Sequence, residues 1–155
     1  MSRDNLDVVN RLYDAWNRRD PDCEPFFDVD VEGSDLQRAP GAPPAVRGIK
    51  TVKQGWLKWL LRVGDVSAEL EDYVEVDDWV ICITHWHGSR APTGTSVDLR
   101  SVEALQVRDG KIRRAVHGYE SREQALEAVL RDMRPRPKPA SRGSAIAGDA
   151  ERTRG

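Results

Sequence analysis

The chain reads as an α+β protein: helices first, then a run of strands, then one last helix. Three observations predict this order. Apolar side chains recur at helical spacing over residues 5–18 and 50–63, the period changes to two after residue 66, and the links between the period-two segments are short turns. Together they predict three N-terminal helices packed on a four- to five-stranded antiparallel sheet, with a C-terminal helix to finish.

Asp4 or Asn5 can cap the first helix, whose stripe is Leu6, Val9, Leu12, Tyr13 and Trp16. Asp20 and Pro21 end it, and residues 22–27 make a short second helix closing on Phe26 and Phe27. Residues 28–35 alternate as a short strand, and residues 38–47 are a loop rich in Pro, Gly and Ala. The third helix, 50–63, has a wide apolar face of Val52, Trp56, Leu57, Trp59, Leu60 and Val63. Residues 67–76, 79–88, 95–108 and 111–119 then form a meander, turning at Asp77-Asp78, at 89–94 and at Asp109-Gly110. Ser121 can cap the last helix, 122–133, which turns Ala125, Leu126 and Val129 inward.

The 155 residues suffice for one core, assigned to 1–133. Residues 134–155 hold six basic and two acidic side chains among Pro, Gly, Ser and Ala, with Ile146 as their one large apolar residue. Such a segment buries too little to offset its ordering entropy, so a disordered basic tail is expected. It lacks interleaved aromatics, so nucleic acid is not an expected partner. No apolar run approaches the roughly 20 residues of a membrane span, and the first five residues show no secretory pattern, so the expected location is cytoplasmic. Cys23 and Cys82 have neither disulfide nor thiolate-metal spacing and read as small buried hydrophobes.

The element order, with the segments VNRLYDAWNRRD (9–20), FFDVDV (26–31), Gly48, Trp56, Trp59, VRDGKI (107–112), Tyr119 and SREQAL (121–126), resembles the SnoaL-like branch of the nuclear-transport-factor-like superfamily over residues 5 to 130. That resemblance implies a cone: a curved sheet wrapped around a long helix, enclosing an apolar cavity. Members often form homodimers through the outer sheet face. Relatives include ketosteroid isomerases, polyketide cyclases, epoxide hydrolases and domains without catalysis, so the fold alone does not fix the function.

Strand 95–108 is the most informative for chemistry. Val97, Leu99, Ser101, Glu103, Leu105 and Val107 share one face, and Glu103 interrupts its apolar character. A carboxylate there must be paired, wetted or protonated, and burial would raise its pKa toward neutrality. The bland alternative is a Glu paired with a neighbouring Arg. The partner of Glu103 depends on the 108–111 hairpin. A two-residue turn puts Arg114 and Val116 beside it, whereas a three-residue turn with Gly110 left-handed puts Ala115, His117 and Tyr119 on its face. The bulged form of the family's hairpin favours the second. It brings His117 to Glu103 or Ser101 and leaves Val102, Ala104, Ile112 and Val116 outside as a dimer surface.

The resemblance to ketosteroid isomerases aligns Asp35 with their general base and Glu103 with their oxyanion-supporting acid, although Glu stands where Asp is usual. Their oxyanion tyrosine aligns with Leu12, one residue from Tyr13, so steroid isomerisation itself is not carried over. The expected catalytic set is Asp35, Glu103 and His117. The expected ligand-binding set is Tyr13, Trp16, Trp56, Trp59, Leu99, Ser101, Leu105 and Tyr119, for a small apolar or aromatic molecule. No cofactor is expected. Asp98 and Arg100 read as a surface ion pair. His85 and His87 share one side of a strand, as some metal sites require, but the sequence near them suggests no third ligand, so no metal site is assigned.

Overall fold

In a computed structural model that describes residues 2–90 and 92–134, the chain forms α1 (Ser2–Asn17), a single 3-10 turn (Glu24–Phe26), β1 (Phe27–Asp35), β2 (Val46–Arg47), α2 (Ile49–Val63), β3 (Ser67–Val76), β4 (Trp79–Arg90), β5 (Thr95–Arg108), β6 (Lys111–Tyr119) and α3 (Arg122–Asp132). The expected tail lies outside the described residues except for Arg134. The α+β class and the four meander strands agree with the sequence reading, while the counts differ. The expected second helix is only the 3-10 turn, α1 starts before either proposed cap, and β2 falls inside the expected loop.

The sheet has six strands in the order β2-β1-β6-β5-β4-β3, and it is mixed rather than antiparallel, because β1 runs parallel to β6. The helical excursion through α2 leaves β1 far from the meander in sequence, so nothing short-range constrained its direction.

The β5–β6 hairpin also corrects the expected register. Asp109 (φ 53°) and Gly110 (φ 74°) form a two-residue turn with both central residues left-handed, pairing Val107 with Ile112. A bulge at Arg113 then shifts the ladder, so Leu105 faces Ala115. A second irregularity, near Gly118 (φ 90°), pairs Val102 with Tyr119. Ala115 and His117 therefore reach the Glu103 face through the bulge rather than the turn. Tyr119 is flipped to the outer face.

Two layers of core result. Inside the sheet, Val8 and Val9 of α1 pack on Val80, Cys82, Leu105, Val107 and Ile112, so Ile112 is interior and not part of an outer apolar surface. Outside, Ala125 and Val129 of α3 cover Trp79, Ile81, Val102 and Ala104. Ser121 caps that helix as expected, accepting from the Gln124 backbone N–H at 3.1 Å. The chain's own last helix occupies much of the face proposed for dimer contact.

Candidate functional site

Polar side chains pin the helices over the sheet. Asn17 bonds the backbone of Ala68 on both sides, at 2.8 and 2.9 Å, acting as one more peptide at the edge of β3. Arg19 donates to the carbonyls of Gly64 and Val66 at 2.8 and 2.7 Å, and the Trp56 indole donates to Asp20 O at 2.7 Å. These bonds fix the ends of α1 and α2, which carry the aromatic wall. Trp16 meets Trp56 and Trp86 edge-on, with centroids 5.1 and 5.6 Å apart, and tilts against Trp59 at 5.8 Å. The Trp16 indole nitrogen is buried without a partner among the described residues.

Between helices and sheet lies a cavity of about 650 Å³, bounded by Tyr13, Trp16, Trp56, Trp59, Glu103 and Leu105, with Asp35 and His117 toward its exposed side. A side chamber of about 210 Å³ adjoins it, with Leu99 and Ser101 in its wall. Every expected ligand-binding residue thus lines one of the two spaces except Tyr119. That ring packs on the outer core instead, because the irregularity at Gly118 reverses its direction.

Glu103 is 5% exposed, and its neighbours satisfy it completely. Thr84 donates to Oε1 at 2.6 Å and Ser101 to Oε2 at 2.8 Å, while the Tyr13 hydroxyl stands 3.4 Å from Oε1 and within hydrogen-bond reach of Thr84. The Trp86 indole donates to Ser101 at 2.7 Å, so the chain of donors runs from the aromatic wall to the carboxylate. The buried site solves the problem of a carboxylate in apolar walls with hydroxyls rather than with an arginine. Burial holds the Tyr13 phenol well above its ordinary range, and the nearby Cys82 and Glu103 push it the same way. Burial likewise raises the Cys82 thiol, with Glu103 adding to the effect.

His117 does not bond Glu103. Parallel pairing sets it beside Asp35 instead, on the cavity side of the sheet. Asp35 is exposed and accepts from the Gln37 backbone N–H at 2.9 Å. Gly118 holds φ 90°, and a Cβ there would lie 3.1 Å from the Gln37 backbone nitrogen and 2.8 Å from Asp35 Oδ1, so the backbone of β6 at this point favours a glycine. The expected trio is therefore split into Glu103 within the wall and an Asp35–His117 pair at the rim. Both Leu12 and Tyr13 line the cavity, but it is Tyr13 that reaches the acid.

The sequence reading leaves Thr84 and Trp86 out of the site. The signal was present: Thr84 is the one hydroxyl in the apolar run 79–84, and β4 pairs it with Ser101. On the outer face, Arg100 pairs with Glu71 at 2.8 and 2.9 Å rather than with Asp98, which takes His85 at 2.7 Å.

Comparison with known proteins agrees with the fold. The model of the SnoaL-like domain family matches residues 9–115. Among solved structures, a protein from Bacillus subtilis proposed to be an isomerase is similar at 14% identity, covering 81% of this chain and 94% of its own, with a TM-score of 0.68. AclR from Streptomyces galilaeus, proposed to be a hydroxylase, shares 18% identity over 99% and 98% of the two chains, with a TM-score of 0.65. A Mesorhizobium loti protein proposed to be a SnoaL-like polyketide cyclase shares 18% over 76% and 97%, with a TM-score of 0.58. At these identities the likeness shows the fold alone. No functionally curated protein matches the chain in sequence.

Proposed function

The chain belongs to the SnoaL-like domain family, and from that premise we propose that it binds a small, largely apolar carbonyl compound, aromatic or polycyclic, and moves a proton on it without a cofactor, as an isomerase or cyclase does. One observation carries this reading: a carboxyl group, Glu103, is set into the wall of a cavity of about 650 Å³ whose other walls are mostly aromatic and aliphatic. A cavity of that size suits a molecule of two to four fused rings, and the tryptophans supply faces and edges for them.

The hydroxyl chain gives the carboxyl a way to act on a ligand oxygen. With the carboxylate as terminal acceptor, Tyr13 and Thr84 donate inward. A proton carried on Oε1 reverses the chain: Glu103 donates to Thr84, Thr84 donates to Tyr13, and the phenolic O–H is released to donate into the cavity. A carbonyl oxygen held there gains support as it becomes an enolate. Asp35, at the rim, is the base that takes the α-proton, and His117 beside it is the relay to solvent.

The test is hydrogen–deuterium exchange at the α-carbon of 2-tetralone and related cyclic ketones in D₂O, followed by NMR. The protein should accelerate exchange, and Asp35→Asn and Tyr13→Phe should each lower the acceleration about 100-fold or more. Equal acceleration by both variants would remove the assignment. A second reading, a binding module without catalysis, is favoured by the complete satisfaction of Glu103. It predicts saturable ketone binding with no exchange above the buffer rate.

A further inference from the structure

On the outer face of the sheet, away from the cavity, the β3–β4 ladder sets Glu69 opposite His85, and the period of two puts His87 on the same side. The structure assigns to Glu69, His85 and His87 a binding site for a divalent transition-metal ion of the Zn²⁺ class. One carboxylate oxygen and one ring nitrogen from each histidine lie within 4.8 Å of one another. The His87 Nε2 to Glu69 Oε2 distance is 3.9 Å, and the two imidazole centroids are 4.9 Å apart. Tetrahedral Zn²⁺ with nitrogen and oxygen ligands wants neighbouring donor atoms about 3.4 Å apart. The three donors therefore need to close by roughly an ångström, which rotation of partly exposed side chains on a fixed ladder supplies. This is the third ligand that sequence spacing does not reveal, because it comes from the neighbouring strand.

The surroundings favour a cation. Glu69, Glu71 and Asp98 gather around the histidines, and the one arginine among them, Arg100, is already held by Glu71 through two bonds. Asp98 Oδ1 lies 2.7 Å from His85 Nε2. A carboxylate on one ring nitrogen orients the imidazole and makes the other nitrogen a better ligand, a common arrangement behind metal-bound histidines. Two imidazoles and one carboxylate select Zn²⁺, Ni²⁺ or Cu²⁺ over Mg²⁺ and Ca²⁺, which prefer all-oxygen shells. Three protein ligands leave a coordination position open to water. An ion here would staple the edge strand β3 to β4 directly behind Thr84 and Trp86, two members of the cavity network.

The experiment is calorimetric titration of the untagged full chain with Zn²⁺, with Mg²⁺ as the comparison, alongside His87→Ala, Glu69→Gln and Asp98→Asn. These side chains are exposed, so the variants should fold. Expected are one Zn²⁺ per chain, no matching Mg²⁺ isotherm, and at least about tenfold weaker binding for His87→Ala and Glu69→Gln. Asp98→Asn should lose affinity by about tenfold or somewhat less. Zn²⁺ should also raise Tm in a way that EDTA reverses. Absence of one-to-one binding, equal Mg²⁺ binding, or wild-type affinity in both ligand variants would overturn the site.

Discussion

Strands β3 to β5 carry carboxylates on both faces of the sheet, and the two sets behave oppositely. Inside, Glu103 sits among the hydroxyls of Thr84, Ser101 and Tyr13, with almost no exposed surface. Outside, Glu71 and Asp98 are solvated, and the Arg100 and His85 hydrogen bonds hold their carboxyls below the usual range. Strands β4 and β5 run through both clusters, joined by Tyr13 of α1 inside and by Glu71 of β3 outside, and what separates the two is their exposure to solvent. In the dry cluster each partner is obligatory, because an orphaned donor there has no water to turn to. In the wet one, water replaces any partner at little cost.

The sharpest way to break that contrast is Glu103→Ala. It strands the buried Thr84 hydroxyl and leaves the donors of Ser101 and Tyr13 without their acceptor, and should cost about 3 kcal/mol or more in a urea titration. Loss below about 1 kcal/mol would mean that water reaches the cluster. Thr84→Val, nearly isosteric, removes a single donor and should cost about 1–2 kcal/mol.

A pH series sharpens the same point. Burial pushes the Cys23 thiol up to about 11 and raises the Cys82 thiol and the Tyr13 phenol as well. These groups keep their protons in the folded chain at a pH where the unfolded chain releases them. The stability they contribute is full below the ordinary thiol value of 9.0 and is lost as pH rises past it. The unfolding free energy from urea titrations should be flat from neutrality to that point and then fall, by at most about 1.4 kcal/mol per pH unit for each group. Cys82→Ala should make the fall shallower; an unchanged slope would refute the assignment. The smallest effect belongs to the wet face: Glu71→Gln should move Tm by no more than the error of the measurement, and visibly only at low salt.

The sequence reveals whatever depends on period and short turns. The meander, the face of β5 that carries Glu103, and the cap at Ser121 all follow from spacing within one element. What it hides are the one-residue irregularities and the pairings between distant segments. A bulge at Arg113 and another near Gly118 decide which way His117 and Tyr119 face, and neither leaves a mark in the apolar pattern. The parallel pairing of β1 with β6, which brings Asp35 to His117, joins residues 82 positions apart. Glu69 reaches the two histidines only through the β3–β4 register, which itself slips at Glu71.

The proposed chemistry depends on Glu103 and Tyr13 facing the ligand's oxygen across the cavity. The direct measurement is a crystal structure of the protein soaked with a tricyclic ketone such as 9-fluorenone. The carbonyl oxygen should lie within 3.2 Å or so of the Tyr13 hydroxyl, with the rings among Trp16, Trp56 and Trp59. A ketone bound with its oxygen toward the mouth and out of reach of the Tyr13 hydroxyl, or a cavity that takes up no ketone, would contradict it.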